Sequence, residues 1–271
     1  MEYIMTTIDI RFCEELLKSV GERLNKTLKQ ENRGSSIDDL LIRFTESNDW
    51  ATHRIKGALA KKYPHIHWSE SEFEIQKQEN VEFQGEYWVC DPIDGAVQFL
   101  QGISSYAISL CLIRDGEPVL SFIYDPSHQE LFHAIAGKGA YLNGKRIRVS
   151  HKTKLQDAII TTTPPSFPAR DKEVTNLTLS GMAQIMPKSF AIRMLGSVSL
   201  QLAYTACGRV DGYFEYGYEL YNWIAGALLI REAGGVVSDS QGSNFTWGTA
   251  GIIAANLDIH QEIRDELRTI L

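Results

Sequence analysis

Two carboxylates lie three residues apart where an apolar segment ends. The stretch CDPIDGAVQF places Asp91 and Asp94 directly after residues 87–89, a run that is typical of a buried strand. Pro92 fixes its own φ and restricts Asp91 to extended angles, so the turn is rigid. Two like charges held this close favour a proton or a cation between them. A divalent cation bound by oxygen atoms, with the Ile93 carbonyl as a further ligand, would remove the conflict.

The residues that follow this pair are suited to binding an anion. Gly95 permits a sharp turn, and AVQFLQG from Ala96 predicts a short helix whose free N–H groups would face a phosphate. A cation site beside an anion site is the arrangement that phosphoryl transfer uses. Taken alone, D-P-x-D-G is also a good turn, with Asp91 as a local cap and Asp94-Gly95 as a turn dipeptide.

A second acidic stretch, WSESEFE at residues 68–74, offers a third carboxylate. Glu70 would contribute to the same cation if the fold brings this stretch to the end of the strand. By itself the stretch is typical of a solvated loop. The phosphoryl-transfer interpretation therefore requires Glu70, Asp91 and Asp94 to converge closely enough to need a divalent ion between them.

The apolar periodicity predicts the elements that must position these groups. One helix is indicated within the first thirty residues by a single apolar face, which consists of Phe12, Leu16, Leu17, Val20, Leu24 and Leu28. A second helix is predicted from about residue 49 to 62, before Pro64. Residues 106–150 show apolar runs separated by turn dipeptides, which predict an antiparallel meander. These turn dipeptides are Asp115-Gly116, Asp125-Pro126 and Asn143-Gly144.

After about residue 155 strands and helices alternate. A helix-covered antiparallel sheet followed by alternating elements predicts two sheets layered between helices, which is an α+β class. We divide the chain into residues 1–152, an α+β half that carries the metal-site motifs, and residues 153–271, an α/β half that completes the site.

Composition limits the partners that we expect. The 271 residues carry a net charge of −7, which argues against a general nucleic-acid or anionic-membrane surface. No run of about 18 apolar residues or signal-type segment is visible, so no membrane span is expected. The four cysteines form no C-x-x-C pair and suit a reducing cytoplasm.

In order along the chain, these motifs resemble the inositol monophosphatase family of magnesium-dependent, lithium-sensitive phosphatases. The family motif D-P-I-D-G-T is matched by DPIDGA at 91–96, G-E-E by SES at 69–71, and W-D-x-A-A-G by YNWIAG at 221–226. LGSVSLQLAYTACGRVDGYFE is similar to the family segment that lines the substrate pocket. The resemblance covers nearly the whole chain. It implies a layered αβαβα sandwich of the inositol monophosphatase and fructose-1,6-bisphosphatase type.

The resemblance also implies a function and a set of site residues. It implies hydrolysis of an inositol or sugar phosphate, Mg²⁺ as cofactor, and a homodimer, while the cytoplasmic location is expected from the cysteines. The implied ligands of Mg²⁺ are Glu70, Asp91, the Ile93 carbonyl, Asp94 and Asn222, of which Glu70, Asp91 and Asp94 are the catalytic carboxylates. The implied phosphate-binding N–H groups belong to Gly95 and Ala96. The implied substrate-facing residues are Asp94, Gly196, Ser197, Glu215 and Asn222.

Four family positions are altered, and all four bear on activity. The family threonine is Ala96, an early aspartate is Asn48, the second glutamate of G-E-E is Ser71, and the aspartate of W-D is Asn222. In the family, the threonine hydroxyl and the early aspartate together activate the attacking water. Ala96 has no hydroxyl and Asn48 cannot accept a proton at neutral pH, so slow turnover or none is expected.

Neighbouring acids and other functions remain as alternatives. Asp49 lies one residue from Asn48, and Glu72 lies one residue from Ser71, so a one-residue shift would return a carboxylate to either place. A non-catalytic family member that binds a phosphorylated metabolite or a partner protein is one alternative function. A phosphatase similar to the 3′(2′),5′-bisphosphate nucleotidases is another, because fold alone does not choose the substrate.

Overall fold

The computed structural model describes residues 7–28 and 36–270, which form α-helices and two β-sheets. The helices are α1 (Ile10–Leu28), α2 (Ile37–Lys62), α3 (Ala96–Leu100), α4 (Lys172–Ile185), α5 (Val198–Ala206), α6 (Leu220–Glu232) and α7 (Leu257–Leu267). The strands are β1 (His67–Trp68), β2 (Glu86–Asp94), β3 (Ala107–Arg114), β4 (Glu117–Asp125), β5 (Glu130–Ile135), β6 (Gly139–Leu142), β7 (Lys145–Arg146), β8 (Ile159–Thr162), β9 (Ala191–Arg193), β10 (Gly212–Glu215), β11 (Val236–Ser238) and β12 (Ile252–Ala255).

The first two helices differ in how well their sequence predicts them. The apolar face of α1 is buried as expected, apart from the half-buried Phe12. The prediction that α2 begins near residue 49 is wrong, because the helix begins at Ile37. Ser36 caps it by accepting a hydrogen bond from the Asp39 N–H at 3.2 Å. The added turns expose Ile37, Leu41 and Ile42 and only half-bury Leu40 and Phe44, so their apolar stripe is weak.

The first sheet contains β1 to β7 in sequence order. β1 pairs with β2 in parallel, and each later pair is antiparallel, which confirms the predicted meander. Both residues of the turns Asp115-Gly116 and Asn143-Gly144 have positive φ, the conformation that a two-residue hairpin requires. The second sheet has the order β11-β12-β10-β8-β9, with only β11–β12 and β10–β12 antiparallel.

Side chains alternate across the strands and define five layers. One face of the first sheet packs on α1 and α2. The opposite face packs on α5 and α6, which also contact the second sheet. The far face of the second sheet packs on α4 and α7. This αβαβα arrangement confirms the predicted fold class. The division at residue 152 stays a prediction, and α5 and α6 of the second half share a core with the first sheet.

Within residues 7–28 and 36–270, no helix combines the length and the apolar character that crossing a bilayer requires.

Candidate active site

A bulge in β2 explains how Asp91 and Asp94 come together. Residues three apart on a regular strand point to opposite faces. Here Asp91 lies opposite Ser109 and Asp94 lies opposite Ala107, so three steps along β2 match two along β3. The extra residue turns the second carboxylate to the side of the first. The Asp91 carboxylate also accepts a hydrogen bond from the Ile93 N–H at 3.0 Å, which holds the bulge closed.

The start of α5 fixes the Asp94 carboxylate. Its Oδ2 accepts hydrogen bonds from the Ser197 hydroxyl at 2.6 Å, from the Ser199 N–H at 2.6 Å and from the Ser199 hydroxyl. Its Oδ1 accepts one from the Val198 N–H at 3.2 Å. Ser197 also caps α5 by accepting from the Leu200 N–H at 3.1 Å. The hydroxyl of Ser197, which was expected to face substrate, is therefore engaged with Asp94.

The acidic loop, residues 68–74, directs a different glutamate toward the aspartates from the one expected. The prediction that Glu70 joins the aspartates is corrected by the structure, because Glu70 is exposed and its carboxylate pairs with Lys56. Glu72 instead lies beside both Asp91 and Asn48, close enough for its carboxyl group to interact with the two side chains. Of the two neighbouring acids considered as replacements, Glu72 therefore lies at the site. The chain turns at Glu72, which a sequence pattern does not reveal.

Contacts with α6 hold this loop in place. The Ser69 hydroxyl contacts the Tyr221 hydroxyl and donates to the Glu82 carboxylate. Ser71, which replaces a family glutamate, is buried and its hydroxyl has no hydrogen-bond partner. The loop is thus tied to α6 by the tyrosine of the YNWIAG motif.

Two further acids approach from β10 and from the start of α6. The Glu215 carboxylate accepts hydrogen bonds from the Tyr213 hydroxyl at 2.6 Å and from the indole N–H of Trp223. Asn222 Nδ2 donates to Glu219 Oε2 at 3.4 Å. Glu219 was not among the expected site residues. Its position three residues before Asn222, on the same face of a helix, is the signal that would have identified it.

Burial and mutual repulsion raise the pKa values of this group. Burial, followed by the charges of Glu72 and Asp94, raises the pKa of Asp91 well above its ordinary value. Burial is also the largest cause for Glu72 and Glu215, each with a pKa raised to about 8, and for Glu219, with a pKa raised to about 7. The pKa of Asp94 is raised by burial, against the effect of its hydrogen bonds to Ser197 and Ser199.

These carboxylates lie near one another without forming a compact ligand cluster. In the part of the chain that the structure describes, no three His, Cys, Asp or Glu side chains are gathered closely enough to hold a metal ion. Within the same part, none of Glu72, Asp91, Asp94, Glu215 and Glu219 forms an ion pair with a basic side chain. The site is thus a group of acidic side chains, three buried and two half-buried, with no basic side chain of the described residues paired to them.

The backbone next to the aspartates can adopt its path only with glycine. Gly95 precedes α3 with φ +90°, and a Cβ there would lie 2.9 Å from the Ser105 carbonyl oxygen. Gly196 has φ +96°, and a Cβ there would lie 2.9 Å from Gln98. Both glycines therefore permit the close approach of α3 to the start of α5. Ala96 is the first residue of α3 and is half-buried.

Comparison with known proteins agrees with this architecture. A sequence model of the inositol monophosphatase family matches residues 3–270. A Pseudomonas aeruginosa relative named Nus factor SuhB is 38% identical over 250 residues, which cover 88% of this chain and 88% of the relative. The solved structure of extragenic suppressor protein suhB from Bartonella henselae has a TM-score of 0.80 and 30% identity, and covers 96% of this chain and 98% of that chain. The Thermotoga maritima IMPase structure has a TM-score of 0.81 and 27% identity, and covers 96% of this chain and 97% of that chain. The chain therefore belongs to the inositol monophosphatase family.

Proposed function

We propose that this chain is a magnesium-dependent phosphomonoesterase that hydrolyses an inositol or sugar phosphate. The single observation that supports the proposal most strongly is the bulge in β2, which turns two buried aspartates toward further acids on three other elements. Such a set of oxygen donors without a basic partner suits a hard divalent cation better than it suits a protein core.

An orphaned polar atom supports the fit of Mg²⁺ to this site. Asn48 is 4% exposed, its side chain contacts Glu72, and its Oδ1 has no hydrogen-bond partner among the described residues. An amide oxygen beside carboxylates is a ligand that Mg²⁺ accepts. The ligands we propose are Glu72 in place of Glu70, together with Asp91, the Ile93 carbonyl, Asp94 and Asn222. Bound Mg²⁺ would polarise the phosphoryl group and lower the pKa of an attacking water.

The chain's own residues bind and orient the substrate in this proposal. The N–H groups of Gly95 and Ala96 at the start of α3 would receive the phosphate. Glu215, held by Tyr213 and Trp223, would face the alcohol part beside Gly196 and Ser197. Because Ala96 and Asn48 offer neither a hydroxyl nor a proton acceptor, assistance in removing the water proton is weakened. General-base assistance contributes about 10²–10⁴-fold, so we propose slow turnover.

Phosphate release from a panel of inositol and sugar monophosphates, measured while Mg²⁺ is titrated, tests this function. We expect Mg²⁺-dependent release from the wild type and a loss of release in Asp91→Asn. The matched control is Asp258→Asn in the first turn of α7, an exposed acid away from the site. Release that never exceeds the Asp91→Asn background at any Mg²⁺ level would refute the proposal.

A non-catalytic binding function is the second candidate, supported by Ala96 and Asn48. The Pseudomonas aeruginosa relative carries the name Nus factor, which is not an enzyme name. Calorimetry with the same phosphates separates the two candidates, because binding without turnover supports the second. The variant Ala96→Thr with Asn48→Asp would then gain turnover if only the water-activating pair had been lost.

We also propose a homodimer. Large apolar side chains are exposed in α4 and directly before the edge strand β9, where Leu179 is 61% and Phe190 is 72% exposed. An edge strand next to such side chains favours contact with a second copy. Sedimentation should give a dimer that Phe190→Asp dissociates, and a monomeric wild type would contradict this.

A further inference from the structure

Glu219 is an acid that lies at the start of α6 without capping it. It is the residue that precedes α6, where the short side chains of Ser, Thr, Asp and Asn commonly cap the first N–H groups, and its own longer side chain makes no capping bond. Its Oε2 instead accepts the bond from Asn222 Nδ2. The carboxylate is therefore directed toward the residue that replaces the family aspartate.

The direction of helical side chains explains why these two residues reach one place. Residues three apart share a face of a helix, about 5 Å apart along its axis. Side chains also lean toward the N-terminus, so Asn222 leans back over the turn that Glu219 begins. A glutamate at the earlier position can thus bring its oxygen to the region that an aspartate at position 222 would supply.

The surroundings of Glu219 are acidic and continuous with the aspartates of β2. Its charge acts on both Asp91 and Asp94, and it also acts on Glu215. In the described ranges, Glu219 has no ion pair with a lysine, arginine or histidine. A structural salt bridge therefore does not explain why a carboxylate occupies this position.

An independent observation on α2, at Asn48, points to a ligand at the same group of acids. The Oδ1 of Asn48 is buried without a partner, and the Asn48 side chain lies against Glu72, which in turn contacts Asp91. An unpaired acceptor beside carboxylates leaves a position that a cation satisfies. Asn48 lies beside Glu72, and the charges of Glu219 and Asp94 act on each other. Both Glu72 and Asp94 are close to Asp91, so Asn48 and Glu219 approach the same group of acids from different elements.

We propose that Glu219 supplies the metal-binding carboxylate that family members supply from the position of Asn222. This inference rests on the proposed magnesium-dependent function. It predicts that the Asn222 substitution has not reduced the charge available to Mg²⁺, because the acid has moved to the residue that precedes the same helix.

Calorimetric titration of the full chain with Mg²⁺ alone tests the inference, because it measures binding without turnover. Glu219→Gln should weaken Mg²⁺ binding about tenfold or more. Adding Asn222→Asp to Glu219→Gln should restore binding, since it returns the carboxylate to the family position. Glu173→Gln, an exposed acid in the first turn of α4, is the matched control and should bind as the wild type does. Thermal unfolding without metal shows that each variant is folded.

The outcomes separate this inference from the proposed function. Wild-type binding that Glu219→Gln leaves unchanged would overturn the role of Glu219 and leave the phosphatase proposal standing. A folded Glu219→Gln that Asn222→Asp does not rescue would also overturn it, because a merely structural role predicts no rescue. Absence of Mg²⁺ binding by the wild type, together with absence of phosphate release, would overturn both proposals.

Discussion

α5 and α6 approach each other closely at Gly226, the last residue of the YNWIAG motif. A Cβ built at this position would lie 2.4 Å from Leu202 Cβ and 2.6 Å from Leu202 Cδ1. Non-bonded carbon atoms prefer separations of about 3.5–4.0 Å, so Gly226→Ala must push the two helices apart by about 1 Å or more. The obstacle is the Leu202 Cβ, which cannot turn away as the end of a flexible side chain could.

Two opposing effects set the expected free-energy change. Alanine is favoured over glycine in a helix interior by about 1 kcal/mol. Overpacking of a buried site costs about 1–3 kcal/mol, and a clash with a Cβ atom belongs at the upper end. We therefore expect Gly226→Ala to lower the free energy of unfolding by about 2 kcal/mol. For a chain of this size the midpoint of thermal unfolding should fall by about 4–8 °C.

The matched control is the same substitution at Gly57 in α2. A Cβ there would meet nothing within 4 Å, so only the helix preference remains. Gly57→Ala should raise the free energy of unfolding by about 0.5–1 kcal/mol. Urea unfolding of both variants measures the two signs directly. A Gly226→Ala protein as stable as the wild type, or a Gly57→Ala protein destabilised by a similar amount, would refute the reasoning.

Three further predictions concern residues around the core. Burial, followed by the charge of Arg264, lowers the pKa of His260 from its ordinary value of 6.5 to about 4. The neutral His260 therefore contributes stability at pH values above 6.5, and this stability is lost as the pH falls toward 4. This loss amounts to about 3 kcal/mol in urea unfolding, which His260→Gln should remove and the exposed His151→Gln should not. Ser199→Ala deletes one hydroxyl bond to Asp94 and should lower the free energy of unfolding by about 1–3 kcal/mol, whereas no change would show that the bond is dispensable. A thiol reagent should label native Cys207 before Cys13, Cys90 and Cys111, because only Cys207 is not fully buried; early labelling that persists in Cys207→Ser would contradict this.

Periodicity predicted much of the fold because the layers bury alternate faces. The apolar stripe of α1 was predictable because its side chains are buried on one face. The turn dipeptides of the meander were predictable because they contain residues that tolerate positive φ. The first turns of α2 gave only a weak pattern, since Leu41 and Ile42 are exposed, Phe44 is half-buried, and the Ser36 cap alone marks the start. β9 and β11 have three residues each, which is too short for any alternation to stand out.

The candidate site was predictable where a rigid local motif defines it. Pro92 and Gly95 constrain the turn so strongly that the pairing of Asp91 with Asp94 follows from five residues. Glu70 was the wrong glutamate because the direction of a loop side chain depends on contacts that are distant in sequence, here Lys56 for Glu70 and Asp91 for Glu72. Asp94's bonds to α5 likewise join residues more than a hundred positions apart.

The way in which this site is assembled explains why its acids can change position along the chain. Asp91 and Asp94 share β2, whereas Glu72, Glu215 and Glu219 come from other segments that packing between layers brings to the end of that strand. Matching the family motifs position by position therefore counts Ser71 and Asn222 as lost carboxylates. Glu72 is one residue from Ser71 and Glu219 is three residues from Asn222, and the charges of both glutamates act on the same Asp91. Because a metal responds to the location of an oxygen and not to its sequence number, the spatial set of acids decides whether this chain binds Mg²⁺.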